Sequence, residues 1–242
     1  MKSERIFMPS MGIAEWRAKL ADPYLHWRRK KSAWELAVSW ESRRDEESGL
    51  PPEIEKVLRA HPTFVDARLL IAIPEHRVTL DDDRRPSQND LWAMLLLTHG
   101  YASATIEAKV GEEFDKTIEE WMIKGSAGKT ERLQFLTEIL GLPSLPPGHI
   151  RYQLVHRTAS AIIEADRWKA STALMLVQYF KQSPCFKESP SSWNDYCNFA
   201  ELLKIEPKRG SISGSRIVGN TELFLGWVDS PMADDATAAT AI

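Results

Sequence analysis

Cysteine is scarce in this chain. Cys185 and Cys197 are the only two in 242 residues, and nothing near either supplies metal-ligand spacing, which argues against a disulfide scaffold or a zinc module. Long apolar runs are also lacking. The longest, such as Leu69-Leu70-Ile71-Ala72-Ile73, is far too short to span a bilayer. No apolar stretch follows Met1-Lys2-Ser3-Glu4-Arg5, so no secretory leader is expected. An excess of positive charge is missing as well. Lys and Arg number 31 against 34 Asp and Glu, for a formal net charge of −3, which is not the balance of a protein that coats DNA indiscriminately. No internal repeat is present. Together these absences predict a cytoplasmic, non-membrane protein with two incidental thiols.

What is present is an ordinary globular balance, with 43% hydrophobic and 27% charged residues, enough for one sizeable core. Residues from about 10 to 62 read as helical: Ala14–Leu20 is short and amphipathic. Ser32 stands as a candidate N-cap for Ala33–Glu41, with Glu35 completing a capping box, and Glu53–Ala60 resumes a helix after Leu50-Pro51-Pro52. The period then changes. Leu69–Ile73 and Arg77–Leu80 read as two strands around Pro74-Glu75-His76, and Asp81-Asp82-Asp83 as a solvated turn. Asp90–Thr98 reads as a strand entering a hairpin at His99-Gly100. In Ala102–Val110, Ile106, Ala108 and Val110 alternate with Thr105, Glu107 and Lys109. Helices are predicted at Glu113–Lys124, Lys129–Leu140, Ile150–Trp168 and Ser191–Leu203, and strands at Ser171–Phe180 and Glu222–Val228. Gly210–Gly219 reads as a polar loop and residues 231–242 as a disordered tail. The order predicts a single α/β domain over residues 1–230, with a mixed sheet, flanking helices and an N-terminal helical arm.

Glu107 and Lys109 leave one strand face roughly 7 Å apart, and Asp90 can lie beside them across the hairpin. Two carboxylates can hold Mg²⁺ while a lysine orients a nucleophile or steadies charge on a phosphorane, so the trio suits phosphodiester hydrolysis. The alternative from pattern alone is a surface salt bridge between neighbouring strands. Glu75, beside Pro74, is a competing acid. Gln153 and His156, at i and i+3 on a helix, can face the site together; a locally hydrogen-bonded histidine is the other reading of His156. Gly125-Ser126-Ala127-Gly128-Lys129-Thr130 has a phosphate-loop flavour without the required spacing or preceding strand, and reads as a helix start. Lys129, Arg132 and Arg85 are candidate contacts to backbone phosphate, and the basic cluster Arg28-Arg29-Lys30-Lys31 is equally a solvated helix face.

Several stretches resemble an uncharacterised bacterial family, a domain of unknown function grouped with the PD-(D/E)XK, or restriction-endonuclease-like, nucleases. They include Ser32-Ala33-Trp34-Glu35-Leu36-Ala37, Ile73-Pro74-Glu75-His76, Arg85-Pro86-Ser87-Gln88-Asn89-Asp90, Ile106-Glu107-Ala108-Lys109-Val110, Arg151 to Ser160 and Leu225-Gly226-Trp227-Val228. The similarity runs from about residue 10 to 230. Asn89 stands where the nuclease motif would have its proline. The resemblance implies a restriction-endonuclease-like core with Asp90 and Glu107 as ligands of Mg²⁺ or Mn²⁺ and Lys109 as the catalytic lysine. Glu35 or Glu41 would be a further acid. Nucleic acid, DNA in the first place, is the implied substrate, and a homodimer is a candidate assembly. The rival expectation is a catalytically silent nucleic-acid-binding or protein-interaction module of the same fold.

Overall fold

A computed structural model of the chain describes residues 12–20, 22–43, 45–80, 85–181 and 191–240. Asp81-Asp82-Asp83, Arg84 and Cys185 lie outside the described residues.

Six strands form one mixed sheet in the order β1-β2-β3-β4-β6-β5. They are β1 (Arg68–Val78), β2 (Ser87–Leu97), β3 (Gly100–Lys109), β4 (Thr172–Lys181), β5 (Ser211–Val218) and β6 (Thr221–Pro231). β1, β2 and β3 make an antiparallel meander. β4 runs parallel to β3 and to β6, and β5 closes the far edge antiparallel to β6. β4 is therefore central and covered on both faces, which is why it reads as an unbroken apolar run rather than an alternating one. The alternation in β3 places Ile106, Ala108 and Val110 in one core and turns Thr105, Glu107 and Lys109 to the other side, as the pattern predicts.

The N-terminal helices α1 (Ile13–Arg17), α2 (Pro23–His26), α3 (Ser32–Glu41) and α4 (Pro52–Arg59) are not an appended arm. Trp16, Trp34, Leu36, Trp40, Ile54 and Leu58 bury one face of the sheet. The other face is covered by α6 (Ala127–Ile139), α7 (Tyr152–Trp168) and α8 (Ser191–Leu202), through Leu133, Leu136, Leu154, Val155 and Phe199. Two cores thus sandwich the sheet, and α7 crosses over from β3 to β4 to make them parallel.

Several local expectations change. The two strands predicted around Pro74 are one continuous β1, because it is an edge strand, where a residue without an N–H is tolerated. The kink is absorbed at Glu75, whose φ is 55°. Of the predicted helix Glu113–Lys124 only α5 (Ile118–Met122) forms, since Thr117 caps it: its hydroxyl accepts from Glu120 N, and the Glu120 carboxylate accepts from Thr117 N. Ser32 is inside α3 and Lys31 holds the cap position; the Glu35 carboxylate instead accepts from Lys30 N and Ala233 N. Residues 211–218 form a strand rather than a polar loop, paired to β6 with a register shift between Ile212 and Ser215. The tail carries β6 through Pro231 and then a short helix α9 (Asp235–Thr240), where the Asp234 carboxylate accepts from Thr237 N and Ala238 is buried in the core. Among the described residues no helix is long and apolar enough to cross a membrane.

Candidate active site

The register of the meander sets the site. Pro74 pairs with Leu91 and His76 with Asn89, while Leu91 also pairs with Ile106. The next position therefore places Asp90 between Glu75 on β1 and Glu107 on β3. Three acids stand in one row across three neighbouring strands, the like-charge arrangement that a sheet disfavours unless something positive meets it. Glu75 holds its place with a left-handed backbone that costs a non-glycine residue of order 1–3 kcal/mol, and such outliers cluster at working sites.

Two cations meet the row. Lys109 Nζ donates to Glu107 Oε1 at 2.8 Å, and Arg157 Nε, from α7, donates to Glu107 Oε2 at 2.7 Å. The Arg157 guanidinium also lies 3.6 Å from Asp90 Oδ1 and donates to Ser87 Oγ at 3.2 Å. Gln153, one turn before Arg157, donates to Glu107 Oε1 at 2.6 Å and accepts from Lys109 Nζ at 3.1 Å. Asp90 Oδ2 accepts from Ala108 N at 2.9 Å, and Glu75 Oε2 accepts from Gln88 Nε2 at 2.7 Å. The Glu107 side chain is only 2% exposed, whereas that of Asp90 is 24% exposed, so the row opens to solvent at Asp90 and closes at Glu107.

The charges follow from these contacts. Burial, then the neighbouring Asp90 charge, pushes the Glu75 carboxyl up to about 8. Burial and the Glu107 charge push Asp90 to about 6, against the pull of Arg157 and Lys109. Burial also works to raise Glu107, but Lys109 and Arg157 outweigh it and hold this carboxylate below its ordinary range. Lys109 is held above its ordinary value because Glu107 and Asp90 overcome its desolvation. Near neutral pH the site therefore holds ionised Asp90 and Glu107 against Lys109 and Arg157, with Glu75 largely protonated.

Glu75, Asp90, Glu107, Lys109 and Gln153 are thus brought together. His156 contacts the site indirectly. Its Nδ1 lies 2.8 Å from Ser87 Oγ, and burial together with Arg157 and Arg132 drives its pKa well down, so the imidazole is neutral and positions Ser87. Arg132 donates to the Arg85 carbonyl at 2.8 Å, on the His156 side of α7. Lys129 turns toward Trp121, donating to its carbonyl and lying over its ring, and Ser126 caps α6 as a plain helix start. Glu35 and Glu41 face the opposite core, where Glu41 accepts from Trp16 Nε1 at 2.7 Å, and neither joins the row. Arg157 is the member of this cluster that sequence reasoning missed. Its only signal is its position four residues after Gln153, on the same helical face among Leu154, Thr158 and Ala161.

The donor chemistry suits a hard divalent cation. Mg²⁺ is bound through one or two carboxylates plus water and phosphate oxygens, and Asp90 and Glu75 are carboxylates raised first by burial and then by a neighbouring acid, so a cation would find negative charge it can relieve. Among the described residues no group of three or more His, Cys, Asp or Glu is arranged to hold a metal ion. Both Glu107 oxygens already accept from Lys109, Gln153 and Arg157.

Residues 9–232 match the domain of unknown function DUF6946, and the chain belongs to that family. No curated protein and no solved structure gives a significant match to it.

Proposed function

We propose that this member of the DUF6946 family is a divalent-metal-dependent nuclease that hydrolyses a nucleic-acid phosphodiester at the Glu75–Asp90–Glu107 row. The observation that carries the reading is the row itself, faced by Lys109 and Arg157 and opening to solvent at Asp90. A surface salt bridge needs one acid and one base. A buried assembly of three acids, two cations and an amide is expensive to desolvate and is characteristic of catalytic sites.

On this reading Asp90 and Glu75 would hold Mg²⁺ or Mn²⁺, and the ion would polarise the phosphodiester and supply hydroxide. Glu107 keeps Lys109 charged and fixes its ammonium, while Gln153 restrains it from the helix side. Lys109 and Arg157 are preorganised donors for negative charge that grows on the phosphoryl oxygens, which is how such sites lower a barrier. His156 and Ser87 set the guanidinium in place. The same constellation supports a kinship with PD-(D/E)XK nucleases, with Asp90, Glu107 and Lys109 at the motif positions but with Glu75 taking the ligand role expected of Glu107, whose oxygens are engaged by Lys109, Gln153 and Arg157.

The test is cleavage of plasmid DNA, single-stranded DNA and RNA with Mg²⁺ or Mn²⁺. Lys109→Gln and Asp90→Asn should each lose cleavage by on the order of 10²-fold or more, while circular dichroism shows the fold retained. Wild-type rates in both variants sink the proposal.

A second reading is favoured by the closure of Glu107, both of whose oxygens are engaged by the protein's own donors. It is a nucleic-acid-binding module without turnover, and it predicts salt-dependent binding with no product under any divalent metal.

A further inference from the structure

A concave feature lies around α5 and the start of α6. It is a hollow of about 460 Å³ lined by Lys116, Glu120, Trp121, Ile123, Lys124 and Lys129, within the size range of small-ligand sites. Three of its six side chains are cationic and one is anionic, so it attracts anions. Trp121 and Ile123 add apolar surface to its wall, and Ile123 is 76% exposed. Lysine flanking an aromatic and an aliphatic surface suits a phosphate joined to a flat base.

The hollow is coupled to the row along two routes. Trp121 stacks on Tyr152 at 4.1 Å and 9°, and Tyr152 in turn tilts against His156 at 4.9 Å. His156 meets Ser87, which meets Arg157. Along the backbone, Tyr152 N donates to Lys116 O, and the adjacent Asp115 N donates to Gln153 Oε1, which also accepts from Lys109. Lys116 is therefore one residue removed from a group that touches the catalytic lysine.

We infer that the hollow is a subsite for an unpaired nucleotide of single-stranded DNA or RNA, flanking the phosphodiester that meets Lys109. The strand's phosphates contact Lys116 and Lys124, and its base packs against Ile123 beside Trp121, whose ring already meets Tyr152 and Lys129. In a duplex the base is paired and stacked inside the helix and cannot enter a hollow of this shape, so the subsite selects single strands. The inference rests on the nuclease reading only for the direction in which the strand continues; binding at the hollow does not need turnover.

The test measures binding without metal. Fluorescence anisotropy in EDTA is recorded with labelled single-stranded DNA, single-stranded RNA and duplex DNA of one sequence, across a salt series. Wild type should bind a single strand more tightly than the duplex. The double variant Lys116→Gln/Lys124→Gln should bind single strands roughly tenfold more weakly, with the salt slope reduced by about 1.4, at roughly 0.7 per lost phosphate contact. Lys169→Glu removes the same net charge at the opposite end of α7, roughly 25 Å from Tyr152 by helix length, and should bind like wild type. Duplex binding as tight as single-strand binding, or a double variant with wild-type affinity, overturns the subsite. An equal loss in Lys169→Glu, or no binding by wild type, overturns it too. Selective binding by a wild-type protein that cuts nothing with Mg²⁺ or Mn²⁺ supports the subsite and defeats the nuclease reading alone.

Discussion

Arg157 Nε donates to Glu107 Oε2 at 2.7 Å, from the second turn of α7 to the third residue from the end of β3. This one bond ties the crossover helix to the strand that carries the acid and lysine pair. Arg157 is 7% exposed and Glu107 2%, so each charge depends on the other for its place in a low-dielectric interior.

Breaking that bond from one side should therefore be costly. Arg157→Met leaves Glu107 with Lys109 and Gln153 at Oε1 but without the cation that donates to Oε2. Removing one partner of a buried pair typically costs about 3–5 kcal/mol. Urea unfolding of the variant should show a loss of that size, and Arg157→Lys should recover only part of it because lysine cannot reach Glu107, Asp90 and Ser87 together. A loss within experimental error would mean that the pair is dispensable for stability.

The legibility of this site was uneven for physical reasons. Glu107 and Lys109 are readable because an alternating strand sends i and i+2 to one face, and apolar Ile106, Ala108 and Val110 define the other. Asp90 is readable because a short hairpin sets its register. Glu75 reads as a turn residue beside Pro74, and only the pairing on either side shows that the strand passes through it. Arg157 sits on a helix whose other buried positions are mostly apolar or small, with Glu164 the other charged one, and its sequence neighbours do not separate it from a solvated arginine. β5 was hidden for a different reason: an edge strand with Gly214 and Ser215 needs only one good face, and Ile212 supplies most of it.

Metal binding should release protons. A divalent cation at Asp90 and Glu75 favours both carboxylates in their charged forms, and Glu75 is held up to about 8 without it. Titration calorimetry with Mg²⁺ or Mn²⁺ at pH 7, in two buffers of different ionisation enthalpy, should give different apparent heats from which net proton release is calculated. Asp90→Asn should abolish the heat. Binding with no proton exchange would place the ion away from Glu75.

Gly226 has a separate and purely steric role. A Cβ there would stand 2.5 Å from Leu176 Cδ1 and 2.9 Å from Ile212 Cδ1. Both are its register partners on β4 and β5, and their side chains fill the space that glycine leaves. Gly226→Ala should destabilise the fold by about 1–3 kcal/mol, the usual cost of overpacking a core, with the carboxylate row unaffected. Thermal unfolding of the variant measures this, and an unchanged melting temperature would show that Leu176 and Ile212 can move aside freely.

The crowding of acids also fixes a direction of pH dependence. Glu75 rises from an ordinary 4.5 to about 8 and Asp90 from 3.8 to about 6, in both cases chiefly through burial. A carboxyl whose folded pKa lies above its unfolded value contributes stability that is complete below the unfolded pKa and is lost as pH rises through the folded one. Glu107 and Lys109 act elsewhere: Glu107, held low, loses its contribution only as pH falls below the ordinary carboxylate range, and Lys109, held high, only above its ordinary 10.5. Buried neutral His156 opposes this trend below its ordinary 6.5, so the metal-free protein should lose stability between about pH 6.5 and pH 8, with Glu75 the main cause. Glu75→Gln keeps the side-chain shape and the neutral state, so its stability should stay nearly flat from about pH 6.5 to 8 and exceed that of wild type at the top of the range. Chemical unfolding at a series of pH values in EDTA measures both curves. Parallel curves for the two proteins would show that the Glu75 carboxyl is not held in the protonated form by Asp90 and its burial.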